Sequence, residues 1–208
     1  RRPRDCKSGW GECLEMIFGN PDEFALYVDV VDEWCNLYDN LEGLSGIWLK
    51  GELLITNISL ISLSNDFENI IEQTPQLIEC SKLYNLSNVD LLKELLKARF
   101  PNWCASSSLD WEENIDEWQD VEEVNACDLS FESCHTGHET NHYLLGIRNH
   151  DEVRLLLYRK NDKNDFFNFE EITDFDIASV EISYIKLKLI VSQLESYVSD
   201  AFKSFHGL

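Results

Sequence analysis

The chain has 208 residues, 44% of them hydrophobic and 12% aromatic, which is enough for one sizeable core and too apolar for a disordered tail. Acids outnumber bases by 39 to 17, a net charge of −22, so phosphate backbones and anionic membranes are repelled and basic proteins are the fitting partners. A membrane span would need about 18 consecutive apolar residues, and no such run is present, nor is a secretory apolar stretch.

Residues 1–15, RRPRDCKSGWGECLE, carry four bases against three acids and no periodicity. They read as a leader, or as an artefact of expression or of gene-start assignment, and are expected to be disordered, with one domain over 16–208. Met16, the only methionine, follows directly, and without the leader 13 bases and 36 acids remain. The seven cysteines, Cys6, Cys13, Cys35, Cys80, Cys104, Cys127 and Cys134, are odd in number and scattered. That pattern fits free thiols in a reducing cytoplasm better than a disulfide framework.

From Met16 onward, Gly19-Asn20-Pro21 marks a turn, and Phe24 to Val31 is apolar, aromatic and β-branched, which predicts a strand. A second strand covers Gly46 to Leu49, and Lys50-Gly51 turns it into Glu52 to Ile55, completing a hairpin.

The stretch MIFGNPDEFAL, followed by GIWLKGELL, resembles bacterial immunity proteins of polymorphic-toxin and contact-dependent growth inhibition systems, in particular the immunity protein 42 family. The resemblance covers Met16 to about Ile55, with a weaker echo in the last strand and helix. It implies a small cytoplasmic protein that binds a cognate toxin domain, often a nuclease, and blocks it. It brings no catalytic residue and no fixed set of toxin contacts, so those must come from charge and aromatic placement.

Further along, Asn65 with Glu68 predicts a capping box and a helix carrying Phe67, Ile70 and Ile71 as far as Thr74-Pro75. A second short helix is predicted from Gln76 to Leu83. Ser87 with Asp90 is a better capping box, and the helix after it places Leu91, Leu92, Leu95 and Leu96 for packing on a sheet before Phe100-Pro101 ends it.

A loop then leads into Leu109 to Val124, LDWEENIDEWQDVEEV. Eight of its sixteen residues are acidic: Asp110, Glu112, Glu113, Asp116, Glu117, Asp120, Glu122 and Glu123. No Lys or Arg occurs between Arg99 and Arg148, so nothing nearby in sequence neutralises them. Trp111, Ile115 and Trp118 would form one apolar stripe on a helix, plugging the core behind a solvated acidic face, or would serve as partner anchors on a loop. The unbalanced charge favours a docking surface for a basic partner, made by the eight acids with Trp111 and Trp118.

His138-Glu139-Thr140-Asn141-His142 matches the zinc-hydrolase pattern HExxH, with Cys134 and His135 just before it. The pattern requires a helix, however, whereas Gly137, Thr140 and Asn141 are poor helix formers and the YLLGIR that follows reads as a strand. Leu145 and Arg148 stand where the extended metzincin form needs glycine and histidine. A non-catalytic metal site from Cys127, Cys134, His135, His138 and His142 is a further alternative. As plain loop and strand residues, the histidines would charge at acidic pH and weaken an acidic docking surface.

Asn141 to Arg159 predicts a second hairpin turning at Asn149-His150, and Lys160 to Asn168 a polar loop. A strand at Ala178 to Ile182 hands over to a helix from about Ser183 to Phe205 with one apolar face. The sequence therefore predicts a single α+β domain: a mainly antiparallel sheet joining both hairpins, packed by several helices including a long C-terminal one. The function it predicts is an immunity protein that occludes a basic toxin domain, without enzymatic activity, cofactor, metal, nucleic acid or membrane. The alternatives are a zinc hydrolase and a nucleic-acid-mimicking regulator.

Overall fold

In the computed structural model of the chain, residues 16–31, 35, 41–58, 62–101, 124–131, 141–160 and 167–206 are described. The opening is a four-stranded antiparallel sheet in the order β1 (Met16–Asn20), β2 (Phe24–Val30), β3 (Gly43–Leu49) and β4 (Glu52–Ile58). The turn expected at Gly19-Asn20-Pro21 starts only at Pro21, because the five residues ending at Asn20 already pair with β2, Met16 opposite Val28 and Asn20 opposite Phe24. Lys50 and Gly51, with φ of 51° and 85°, form the tight turn between β3 and β4. Glycine adopts such a conformation without the Cβ clash that other residues meet.

The second sheet is also antiparallel, in the order β5 (Asn141–Asn149), β6 (Glu152–Lys160) and β7 (Ile177–Ser183). The α+β class holds, but the two hairpins do not join into one sheet as expected. The reason lies in β6, whose Val153, Leu155 and Leu157 enter one core while Leu156 and Tyr158 enter another. A strand apolar on both faces must be covered on both, so the sheets meet through side chains and not by edge pairing.

The first core gathers Phe18, Leu26, Val28 and Ile47 of the first sheet, Leu144, Leu155, Val180 and Ile182 of the second, and one face of α5 (Tyr184–His206). On that helix Leu187, Ile190, Val191, Leu194, Val198 and Ala201 recur at helical spacing and are buried. The Ser183 hydroxyl accepts a hydrogen bond from the Lys186 amide at 3.2 Å, satisfying a donor at its start. The second core lies between the other face of the second sheet and α4 (Asn88–Arg99). Leu91, Leu92, Leu95 and Leu96 are all buried there. Ser87 caps α4 as expected, its hydroxyl accepting from the Asp90 amide at 3.1 Å.

Two helix predictions need correction. Asn65 caps nothing: it lies inside α1 (Leu63–Asp66), which stops at Phe67 before α2 (Glu68–Gln73) begins. Burial of Phe67 in the first core and a buried hydrogen bond from the Ser45 hydroxyl to the Asp66 carboxylate set that break, overriding the local pattern. The helix expected over 76–83 shrinks to α3 (Ser81–Tyr84). Residues before it run extended, with Glu79 bridging to Arg148 and Cys80 N donating to Arg148 O at 2.9 Å.

Candidate functional site

One end of the second sheet collects most of the chain's unusual chemistry. Asn141, the first residue of β5, pairs with Lys160, the last of β6, and Ile177, the first of β7, pairs with Tyr158. The C-terminus of α4 reaches the same place, because the Phe100 ring lies 5.4 Å from Tyr143 and 5.5 Å from Phe167. Tyr143 and Phe167 meet edge to face at 5.1 Å, and Tyr143 stacks on Tyr158 at 6.1 Å. The buried Lys160 ammonium lies 5.9 Å from the Phe167 ring centroid. Four rings from four parts of the chain thus make a rigid floor under this end.

The acidic stretch is attached beside that floor. Asp110, Trp111, Glu112, Glu113, Asp116, Glu117, Trp118, Asp120, Glu122 and Glu123 lie outside the described residues, but both ends of their segment are described. The chain leaves α4 at Pro101 and returns at Val124, whose amide donates to Ala98 O at 2.8 Å. Just beyond, Arg99 Nε donates to the Asp128 carboxylate at 2.9 Å, and Asp128 is almost wholly buried. Asp128 also accepts from Ser130 N, and Leu129 N donates to Leu144 O of β5 at 2.8 Å. The described residues on either side of the stretch are therefore fastened within one turn of α4.

Of the metal-type residues, Cys127 and His142 are described. Cys134, His135 and His138 lie outside the described residues, as do Glu139 and Thr140. Asn141 and His142, the end of the HExxH pattern, belong to β5, and His142 pairs with Arg159. That element is a strand, whereas the zinc motif requires both imidazoles on one helical face. Cys127 is buried against α4, and its thiol is pushed up to about 12 by burial, then by the Asp128 charge, against an opposing pull from Arg99. A neutral buried thiol is a poor ligand and a poor nucleophile. Cys80 and Cys127 are free thiols, and among the described residues no three His, Cys, Asp or Glu are grouped to hold a metal ion.

Glu170-Glu171-Ile172-Thr173-Asp174-Phe175-Asp176 lies outside the docking surface expected from sequence. This segment leads into β7 at the same end of the sheet, and its Phe175 is 100% exposed. Glu170, Glu171 and Asp174 are exposed and form no ion pair with any described residue. The signal was present as three unpaired acids around an aromatic, with a Thr-x-x-Asp capping pattern inside.

Comparison with known proteins agrees with this architecture. The crystal structure of CdiI from Burkholderia dolosa AUO158 matches with a TM-score of 0.64 at 20% identity, over 88% of this chain and 99% of that one. At that identity the likeness shows the fold alone. No curated protein matches the chain. Among the described residues no helix is long and apolar enough to cross a membrane. The model of a protein family described as immunity protein 42 matches residues 16–197, which take in both sheets, α4 and the first part of α5, and the chain therefore belongs to the immunity protein 42 family.

Proposed function

We propose that this immunity-family protein acts in the cytoplasm as a stoichiometric antitoxin: it binds a basic toxin domain of the nuclease type and occludes its active site or substrate-binding surface. The observation that carries the reading is the family match over residues 16–197. Its fold, shared with a CdiI, fits a contact-dependent growth inhibition setting. The net charge of −22 supplies the complement to a nuclease's phosphate-binding lysines and arginines.

In this reading the carboxylates of Asp110 to Glu123 meet those bases, while Trp111 or Trp118 gives apolar anchorage. The anchoring of the residues that flank the segment, Val124 on Ala98 and Asp128 on Arg99, supports it, since a segment tethered at both ends has less freedom to lose on binding. A zinc hydrolase finds no such support, given His142 in a strand. Co-purification with the product of the adjacent upstream reading frame tests the proposal. A one-to-one complex that relieves that product's toxicity is expected, and a protein that neither binds nor protects would refute it.

A further inference from the structure

We propose that the turn around Phe175 is a second partner-binding element, whose ring enters an apolar pocket on the cationic face of the toxin; this rests on the antitoxin reading and names a contact that the acidic stretch does not include. Among the large hydrophobic side chains exposed in the described fold, Phe175 shows 100%, ahead of Ile185 at 69%, Leu189 at 58% and Ile17 at 43%. The fold thus draws nothing from this ring.

Its exposure is not the looseness of a frayed loop. Ile172 and Ile177 on either side are buried in the second core, at 6% and 8%. Between them the Thr173 hydroxyl and amide both donate to the Asp176 carboxylate, at 2.7 and 3.0 Å, and Asp176 N donates back to Thr173 O at 3.1 Å. Upstream, Glu171 N and Glu170 N donate to the Asn168 carbonyl and side-chain oxygen at 3.1 and 3.2 Å. An aromatic on so fixed a mount pays little ordering cost when it enters a pocket.

The charge selects the occupant. Glu170, Glu171 and Asp174 precede the ring in sequence, exposed and without an ion pair among the described residues, whereas Asp176 is engaged in the turn. A second copy of a chain with net charge −22 would be repelled, as would an anionic membrane or a nucleic acid. A basic protein surface satisfies both the carboxylates and the ring. The turn also adjoins the sheet end to which the acidic stretch is attached, so one toxin face can reach both.

The test measures binding of the full chain to the purified product of the adjacent upstream reading frame. Phe175→Ala is expected to keep the native melting profile and to weaken binding about 30-fold, mainly through faster dissociation, with Phe175→Leu between the two. Joint Glu170→Gln, Glu171→Gln and Asp174→Asn is expected to slow association and flatten its salt dependence. If Phe175→Ala binds within roughly twofold of the parent while charge reversal at Glu112, Glu113, Asp116 and Glu117 abolishes binding, the turn is not a contact and the antitoxin reading stands. If the parent chain does not bind, both proposals fall. A dimer of the parent chain that dissolves on Phe175→Ala would also overturn this one, assigning the ring to self-association.

Discussion

Two side chains show how surroundings set chemistry. The Cys127 thiol, raised to about 12, stays protonated at any physiological pH and is shielded by α4. Alkylation of the native chain at mildly alkaline pH, mapped by mass spectrometry, should therefore leave Cys127 unmodified until denaturant is added; labelling at the rate of a free thiol would contradict this burial. Tyr84 is buried, and its phenol is raised from 10.0 to about 12 by desolvation, then by the Glu181 and Glu152 charges, with Arg154 opposing. The fold thus favours the neutral phenol, and the stability this contributes is complete below pH 10 and drains away as the pH climbs toward 12. The urea midpoint should drop more between these limits for the parent chain than for Tyr84→Phe; equal drops would place the phenol in water. Phe175 was missed at this scale because charge was weighed by unbroken length, and three acids about a ring make a short run. Exposure to this degree is a tertiary fact that sequence spacing does not encode.

Among the elements, those with strong local signals came through. Ser87 capped α4, its four leucines were buried, and α5 began within a residue of its expected start. Ser87→Ala should cost about 1 kcal/mol by removing that cap. Arg99→Ala should cost roughly 3 kcal/mol, because the buried Asp128 carboxylate would lose its guanidinium. Both are measurable by urea denaturation, and an Arg99→Ala loss no larger than that of Ser87→Ala would mean that Asp128 is held by its other partners. In β3, a Cβ on Gly43 would lie 2.0 Å from the Asp29 carbonyl oxygen of β2, a backbone atom that cannot swing aside. Gly43→Ala should therefore destabilise by on the order of 3 kcal/mol, and a near-neutral result would show that the strands can separate locally. What remained illegible was the pairing between elements. Val153, Leu155 and Leu157 alternate along β6 and fill one core, but the spacing of Leu156 and Tyr158 on the other face does not say whether a helix or a strand covers them. The Asn65 and Glu68 pattern failed for a related reason, since burial of Phe67 broke the helix where local spacing would have continued it.

For the molecule as a whole, the family match over 16–197 carries the functional reading, extending the resemblance between Met16 and Ile55, and charge selects a basic partner within it. The acidic stretch was legible as composition, while its attachment beside the four-ring floor and the Phe175 turn required the fold. A net charge of −22 should accelerate the encounter with a basic toxin and make it salt-sensitive, since screening shortens the reach of exposed charges to about 8 Å at physiological ionic strength. The most direct measurement is protection of cells producing the upstream toxin by a variant carrying Glu112→Lys, Glu113→Lys, Asp116→Lys and Glu117→Lys, with its fold verified by circular dichroism. The expected variant is folded, no longer protects, and associates with the toxin at least about tenfold more slowly. A folded variant that protects as fully as the parent would show that the chain meets its toxin without this negative surface.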